Sequence, residues 1–171
     1  MAARLISWRG PVITIALGSN LPSPAGSPEQ TLRAALARME ALGLRIVSVS
    51  SFYETPAWPD ASDPPFVNAV ASVKTDLQPV ELLALLHGVE TDLGRMRSVP
   101  NAPRTLDIDV IDYDGRITDD GLILPHPRLA ARAFVLVPLA EIAPDWTHPV
   151  TGQGVAALLA ARPDRHVPKR I

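Results

Sequence analysis

Along this chain the apolar positions recur first with the period of a strand, then with that of a helix, in alternating blocks. Residues 12–17 form a short apolar run of β-branched character, ended by Gly18-Ser19-Asn20, and predict a buried strand leading into a turn. After a loop over 21–26, Ser27-Pro28-Glu29-Gln30 supplies a helix start. Ser27 stands at the N-cap, Pro28 at the first helical position, and Gln30 closes a capping box. Leu32, Ala35, Leu36, Met39 and Leu42 follow at helical spacing, while Arg33, Arg38 and Glu40 face water. Gly43 falls where a left-handed C-terminal cap belongs. Residues 44–53 are Val/Ile-rich, partly alternating, and predict a second strand.

Residues 55–65 hold Pro56, Pro59, Pro64 and Pro65 with Trp58, which dictates an irregular, stiffened loop. A third strand is expected over 66–75, with Val67, Ala69, Ala71 and Val73 on one face and Phe66, Asn68, Val70 and Ser72 on the other. Pro79 opens a second helix with apolar Leu82, Leu83, Leu86, Val89 and Leu93, closed by Gly94. A loop over 95–103 leads to a fourth strand, and Asp114-Gly115 is a hairpin-type turn. Residues 116–124 are a second hairpin arm or a loop, and Pro125-His126-Pro127 is a stiff turn. Residues 129–142 predict short helical segments broken by Pro138, and 155–161 a last short helix. Strand, helix, strand, strand, helix, strand is the ferredoxin-like βαββαβ order. It describes an α+β sandwich with helices on one face of an antiparallel sheet, here with a short helical C-terminal extension.

Composition narrows the options. The 171 residues suit one domain, 1–171, with 1–11 as a flexible N-terminal extension. A net charge of −2 makes nucleic acid a poor partner by bulk electrostatics. No apolar run approaches the roughly 20 residues of a membrane span, and the N-terminus does not read as a signal peptide. With no cysteine, thiolate catalysis and Cys-based metal sites are excluded. The cytoplasm is the expected compartment. Neither a P-loop nor a Rossmann glycine pattern is present, so any nucleotide phosphate must be held by side chains.

The chemistry concentrates in Pro103-Arg104-Thr105-Leu106-Asp107-Ile108-Asp109-Val110-Ile111-Asp112-Tyr113. Leu106, Ile108 and Val110 alternate with Asp107 and Asp109, and Ile111 and Tyr113 continue the second series. Both carboxylates therefore share one strand face with α-carbons roughly 7 Å apart. Like charges there repel, and a divalent cation such as Mg²⁺ is the simplest compensation. On these residues alone, a solvated edge strand stays open as the alternative. Sign segregation favours the cation. Residues 95–106 carry Arg95, Arg97 and Arg104 with no acid, whereas 107–120 carry six aspartates and one arginine. Carboxylates for a cation beside guanidiniums for phosphate oxygens point to a polyphosphate site. Phe66 and Asn68 share a face and would suit a flat heterocycle, although on these residues alone an ordinary sheet-facing pair is the stronger reading. The same openness holds for Phe134 after Arg128 and Arg132, for His126 between its prolines, and for Glu90 at the edge of its helix's apolar face. Gly18-Ser19-Asn20 by itself is only a strand-to-turn signal.

Taken together, the chain resembles the 6-hydroxymethyl-7,8-dihydropterin pyrophosphokinase family of folate biosynthesis. The resemblance rests on Ala16-Leu17-Gly18-Ser19-Asn20-Leu21, Ser51-Phe52-Tyr53-Glu54-Thr55-Pro56, Phe66-Val67-Asn68-Ala69-Val70 and Gly94-Arg95. It continues through Pro103-Arg104-Thr105-Leu106-Asp107-Ile108-Asp109, Pro125-His126-Pro127-Arg128 and Pro138-Leu139-Ala140-Glu141-Ile142-Ala143-Pro144. It implies an ATP-dependent diphosphotransferase, with ATP as co-substrate and two Mg²⁺ ions held by Asp107 and Asp109. It further implies that Arg95 and Arg104 close over the phosphates as catalytic groups. Phe66 and Phe134 would sandwich the pterin, Asn68 would read its edge with groups near Thr55 and Pro56, and Glu90, His126 and Arg132 would lie on the nucleotide side. Small-molecule substrates and a monomer or weak homodimer go with it. A binding module of the same fold, taking nucleotide or pterin without turnover, is the competing expectation.

Three departures stand out. Many relatives carry a Trp in the loop before the Pro-Arg-Thr block, where this chain has the shorter Val99-Pro100-Asn101-Ala102. Pro127 replaces a Tyr that often follows the His, and Gly121 stands where an arginine is common.

Overall fold

The computed structural model describes residues 12–58, 60–96, 102–162 and 167–171. The expected extension over 1–11, Pro59, Arg97 and the Trp-less segment Val99-Pro100-Asn101 lie outside them. Helix α1 (Pro28–Ala41) starts as the capping box requires: Gln30 N donates to Ser27 Oγ and Ser27 N to Gln30 Oε1, at 3.3 and 2.8 Å. Leu32, Ala35 and Met39 are its buried stripe, and Gly43 follows at φ +93°, a conformation side-chained residues avoid. Helix α2 (Pro79–Asp92) buries Leu82, Leu86 and Val89.

Among the described residues six strands form one sheet: β1 (Ile13–Ser19), β2 (Arg45–Val49), β3 (Tyr53–Thr55), β4 (Phe66–Lys74), β5 (Asp107–Tyr113) and β6 (Lys169–Arg170). Their order is β5-β1-β4-β3-β6, with β2 also paired to β4, and every pairing is antiparallel. The single strand expected over 44–53 is thus two. β2 pairs with residues 71–74 of β4 and β3 with 66–68. Between them Ser50 leaves the ladder and accepts Val70 N on its hydroxyl at 3.0 Å. β6 has two polar residues and no alternation, so periodicity has nothing to report there.

Helices α1 and α2 pack on one face of the sheet around Ile13, Ile15, Leu17, Ile108 and Val110. The C-terminal segment does more than extend the fold. Helices α3 (Ala133–Ile142) and α4 (Val155–Ala160) cover the other face, burying Val135, Leu136, Leu139 and Leu158 against Ala16, Val70 and Ile111. The expected sandwich with helices on one face is therefore three layers. Pro138 does not break α3 as expected, but sits inside it, buried. A proline there removes one backbone hydrogen bond, and burial of its neighbours against the sheet outweighs that loss.

One irregularity redistributes the Asp-rich strand. Ile15 faces Val110 but Thr14 faces Asp112, so Ile111 is an extra residue, a β-bulge. Strict alternation would have placed Tyr113 with the carboxylates. The bulge instead sends Tyr113 into the α1/α2 core, where its hydroxyl donates to Leu77 O, and turns Asp112 beneath α3 and α4. There Asp112, only 5% exposed, accepts from Trp146 Nε1 at 3.0 Å and Gly115 N at 3.1 Å. Asp114 and Gly115 both take positive φ, as a tight hairpin turn requires.

Candidate active site

Strand register brings the sequence-predicted residues to one end of one sheet face. Gly18 of β1 pairs with Asp107 on one side and Asn68 on the other, and Ala16 pairs with Asp109 and Val70. Neighbouring strands lie about 4.8 Å apart, so the carboxylate row and the Phe66/Asn68 row flank a shallow floor about 10 Å across. A Cβ on Gly18 would come 3.2 Å from Asn68 Oδ1, so any side chain there would press on the Asn68 amide and narrow that floor. Asn68 is buried, and its Nδ2 donates to Thr55 Oγ1 at 2.9 Å. Pro56 follows at the exposed rim.

Each carboxylate is met by arginine. Arg95 Nη1 lies 2.8 Å from Asp107 Oδ1, and Arg104 Nη1 lies 2.8 Å from Asp107 Oδ2. Arg132 Nη1 lies 2.9 Å from Asp109 Oδ2. Two of these guanidiniums also stand over rings: Arg104 is 5.9 Å from the Phe66 centroid, and Arg132 5.4 Å from that of Phe134. The site therefore repeats one arrangement twice, ring, guanidinium and carboxylate, once with Phe66-Arg104-Asp107 and once with Phe134-Arg132-Asp109. The first comes from the loop before β5 and the start of β4, the second from the N-terminal turn of α3.

Glu90, expected on the nucleotide side, lies beneath these groups. It is 3% exposed, accepts Ile108 N at 2.7 Å and pairs with Arg95. Burial pushes its carboxyl above the usual carboxylate range, against the pull of Ile108 N–H and Arg95. Both contacts orient other parts of the site, namely the Arg95 head and the β5 backbone. His126 accepts Arg128 N on Nδ1 at 3.1 Å, and its Nε2 is 3.6 Å from Asp109 Oδ2. Burial lowers its pKa below the ordinary imidazole value, and Asp109 offsets this only in part.

Three carboxylates, three guanidiniums and an imidazole in one corner are poor value as a stability device, since desolvation cancels much of such pairing. The donors are also incompletely used. Arg104 Nε and Thr105 Oγ1 are buried with no hydrogen-bond partner among the described residues. Among those residues no group of three or more His, Asp or Glu could hold a metal alone. Mg²⁺ needs no such cage, because one or two carboxylates plus substrate phosphates suffice, and Asp107 and Asp109 fit that need.

The sequence reads Asn20 only as part of a turn signal and of a motif carrying the resemblance, yet it is 2% exposed and hydrogen-bonded to both Pro64 and Arg104. An Asn directly after a strand reads as a turn. Burial alone distinguishes an anchoring amide from a turn amide, and spacing does not report burial.

A corner of paired cations and anions that opens onto an aromatic and amide floor suits a polyphosphate held beside a flat heterocycle. A sequence model of the 7,8-dihydro-6-hydroxymethylpterin-pyrophosphokinase (HPPK) family matches residues 14–144, and the chain belongs to that family. It is 41% identical over 148 residues to the 2-amino-4-hydroxy-6-hydroxymethyldihydropteridine pyrophosphokinase of Methylorubrum extorquens, covering 85% of this chain and 90% of that protein. The protein of the same name from Pseudomonas aeruginosa is 41% identical over 153 residues, covering 88% and 91%. Folic acid synthesis protein fol1 of Pneumocystis carinii is 38% identical over 146 residues, so this chain spans 19% of that longer protein. In fold, the chain matches the crystal structure of Plasmodium falciparum HPPK-DHPS with a TM-score of 0.68 at 14% identity, over 89% of this chain and 44% of that one.

Proposed function

We propose that this chain transfers the terminal diphosphate of ATP to the hydroxymethyl oxygen of 6-hydroxymethyl-7,8-dihydropterin, releasing AMP. The hydroxymethyl oxygen attacks the β-phosphorus, and the bond from that phosphorus to the α–β bridging oxygen breaks. AMP leaves with the electron pair, and the hydroxyl proton passes to bulk solvent. Such a transfer asks for charge neutralisation, in-line positioning and exclusion of water rather than covalent help from the protein. The observation that carries this reading is the doubled ring–guanidinium–carboxylate arrangement on one sheet face.

In this reading Phe66 and Phe134 hold the pterin ring, and Asn68, Thr55 and Pro56 line its edge. Arg95 and Arg104 exchange carboxylate for phosphate as the polyphosphate enters, which gives the unused Arg104 Nε an acceptor. Arg132 and His126 lie on the nucleotide side, and Glu90 holds Arg95 in reach of both partners. Asp107 and Asp109 would carry two Mg²⁺ ions, which when bound supply positive charge to the phosphate oxygens. The same reading takes small molecules as partners and a monomer or weak homodimer as the acting form. Cytoplasmic action is part of the same reading. Among the described residues no helix is long and apolar enough to cross a membrane. We infer a ferredoxin-like core as well: with β2 and β3 counted as one bent strand, the order across the sheet is fourth, first, third, second.

Incubation with ATP, Mg²⁺ and the hydroxymethyl pterin, followed by nucleotide chromatography, tests the proposal. AMP and the pterin diphosphate are expected, with turnover lost on chelation by EDTA. Release of ADP, or turnover that survives chelation, would sink it.

A further inference from the structure

Asn20 touches both halves of the site through one rigid amide. Its Nδ2 donates to Pro64 O at 3.0 Å, and its Oδ1 accepts Arg104 N at 2.8 Å. Its own backbone N and that of Leu21 both donate to Arg104 O, at 3.1 and 3.2 Å. Pro64 is two residues before Phe66, the ring-binding side chain that opens β4. Arg104 is the phosphate-side guanidinium, and it stands over that same ring. The donor and the acceptor of a planar amide are fixed relative to each other. Displacing either segment alone therefore breaks a hydrogen bond to a buried amide, whereas moving both together keeps the pair.

We propose that Asn20 is a positioning residue that couples the two halves, so that filling the phosphate half raises affinity for the heterocycle and the reverse. This rests on the reading of the site given above. A ligand that orders the Arg104 segment orders the Pro64 segment through the amide, and the second ligand then meets a prepared floor. Linkage requires the factor to be the same in both directions.

The test is calorimetric titration of 6-hydroxymethyl-7,8-dihydropterin, alone and with saturating Mg²⁺ and α,β-methylene-ATP, which cannot transfer its diphosphate. In the unmodified protein the nucleotide is expected to tighten pterin binding by roughly five- to 150-fold, the usual range of coupling between sites. Asn20→Ala is expected to bring that ratio to within about twofold of one. Asn20→Asp has the same shape and keeps an acceptor for Arg104 N, but has no donor for Pro64 O. It is expected to retain nucleotide affinity while losing the ratio, with its fold verified by circular dichroism. A merely structural Asn20 would weaken each ligand separately and leave the ratio intact, which would overturn the proposal. A ratio of one in the unmodified protein, with both ligands bound, would overturn it too. An unmodified protein that bound neither ligand would instead refute the functional reading beneath it, a distinguishable failure.

Discussion

Asp107 and Asp109 sit two residues apart on one strand, yet their surroundings differ. Asp107 has both oxygens engaged by separate arginines, while Asp109 has one oxygen shared by Arg132 and the nearby His126. Asp109 is thus the carboxylate with more capacity left for a cation. Asp109→Ala is expected to lower turnover by on the order of a thousandfold or more. Its side chain is 33% exposed, so the thermal midpoint should stay within a few degrees. Near-normal turnover in that variant would overturn the metal-holding role proposed for Asp109. Gly18 offers a contrast without charge. Gly18→Ala places a methyl 3.2 Å from Asn68 Oδ1, which cannot swing aside without straining the Thr55 hydrogen bond. Steady-state kinetics should show KM for the pterin rising about tenfold, a cost of about 1.4 kcal/mol, with KM for ATP unchanged. An equal rise for both substrates would mean that the floor serves the whole site rather than the ring.

Among the elements, α3 has two duties. Its buried stripe covers the second sheet face, and its first turn delivers Arg132 and Phe134 to the site. Its far end is latched to the sheet by Glu141. That carboxylate accepts Ser51 Oγ, Ser51 N and Tyr53 OH at 2.7, 2.9 and 2.9 Å. Burial raises the Glu141 pKa, but these hydrogen bonds and Arg170 outweigh it, so the net shift is downward from 4.5. A carboxylate with a depressed folded pKa contributes stability above its unfolded value and loses that contribution as pH falls through the folded one. Urea unfolding at pH 7 should therefore show Glu141→Gln less stable by no more than about 1 kcal/mol, since the group is exposed. Below pH 4.5 the difference from the parent should shrink toward zero; a gap independent of pH would contradict the latch. Sequence periodicity located α3 but misjudged Pro138. Local propensity counts the lost hydrogen bond, not the packing that replaces it.

On the scale of the molecule, the sheet is a shared wall between two apolar layers, so neither layer is independent of the other. Leu86 of α2 and Leu136 of α3 are both fully buried on opposite faces. Leu86→Ala and Leu136→Ala should each cost about 2–5 kcal/mol, read from urea denaturation as a lower midpoint of one cooperative transition. Two separated transitions in either variant would show that the faces unfold apart. Much of this architecture was legible in advance. Alternation in residues 66–75 assigned Val67, Ala69, Ala71 and Val73 to one face and Val70 to the other, as found. The capping box and glycine caps placed α1, and Leu106, Ile108 and Val110 were rightly given to the core. These features are local, set by the period of a helix or strand and by backbone preferences of single residues. What required the tertiary structure is long-range. The bulge at Ile111 shows only in the register of β5 against β1, and it moves Tyr113 and Asp112 to faces that strict alternation denies them. Glu90 accepts the Ile108 N–H because α2 packs against β5, 18 residues further along the chain, and Asn20 joins Pro64 to Arg104 across 44 and 84 residues of chain. A sequence determines which face each side chain prefers; only packing decides which distant groups that face will meet.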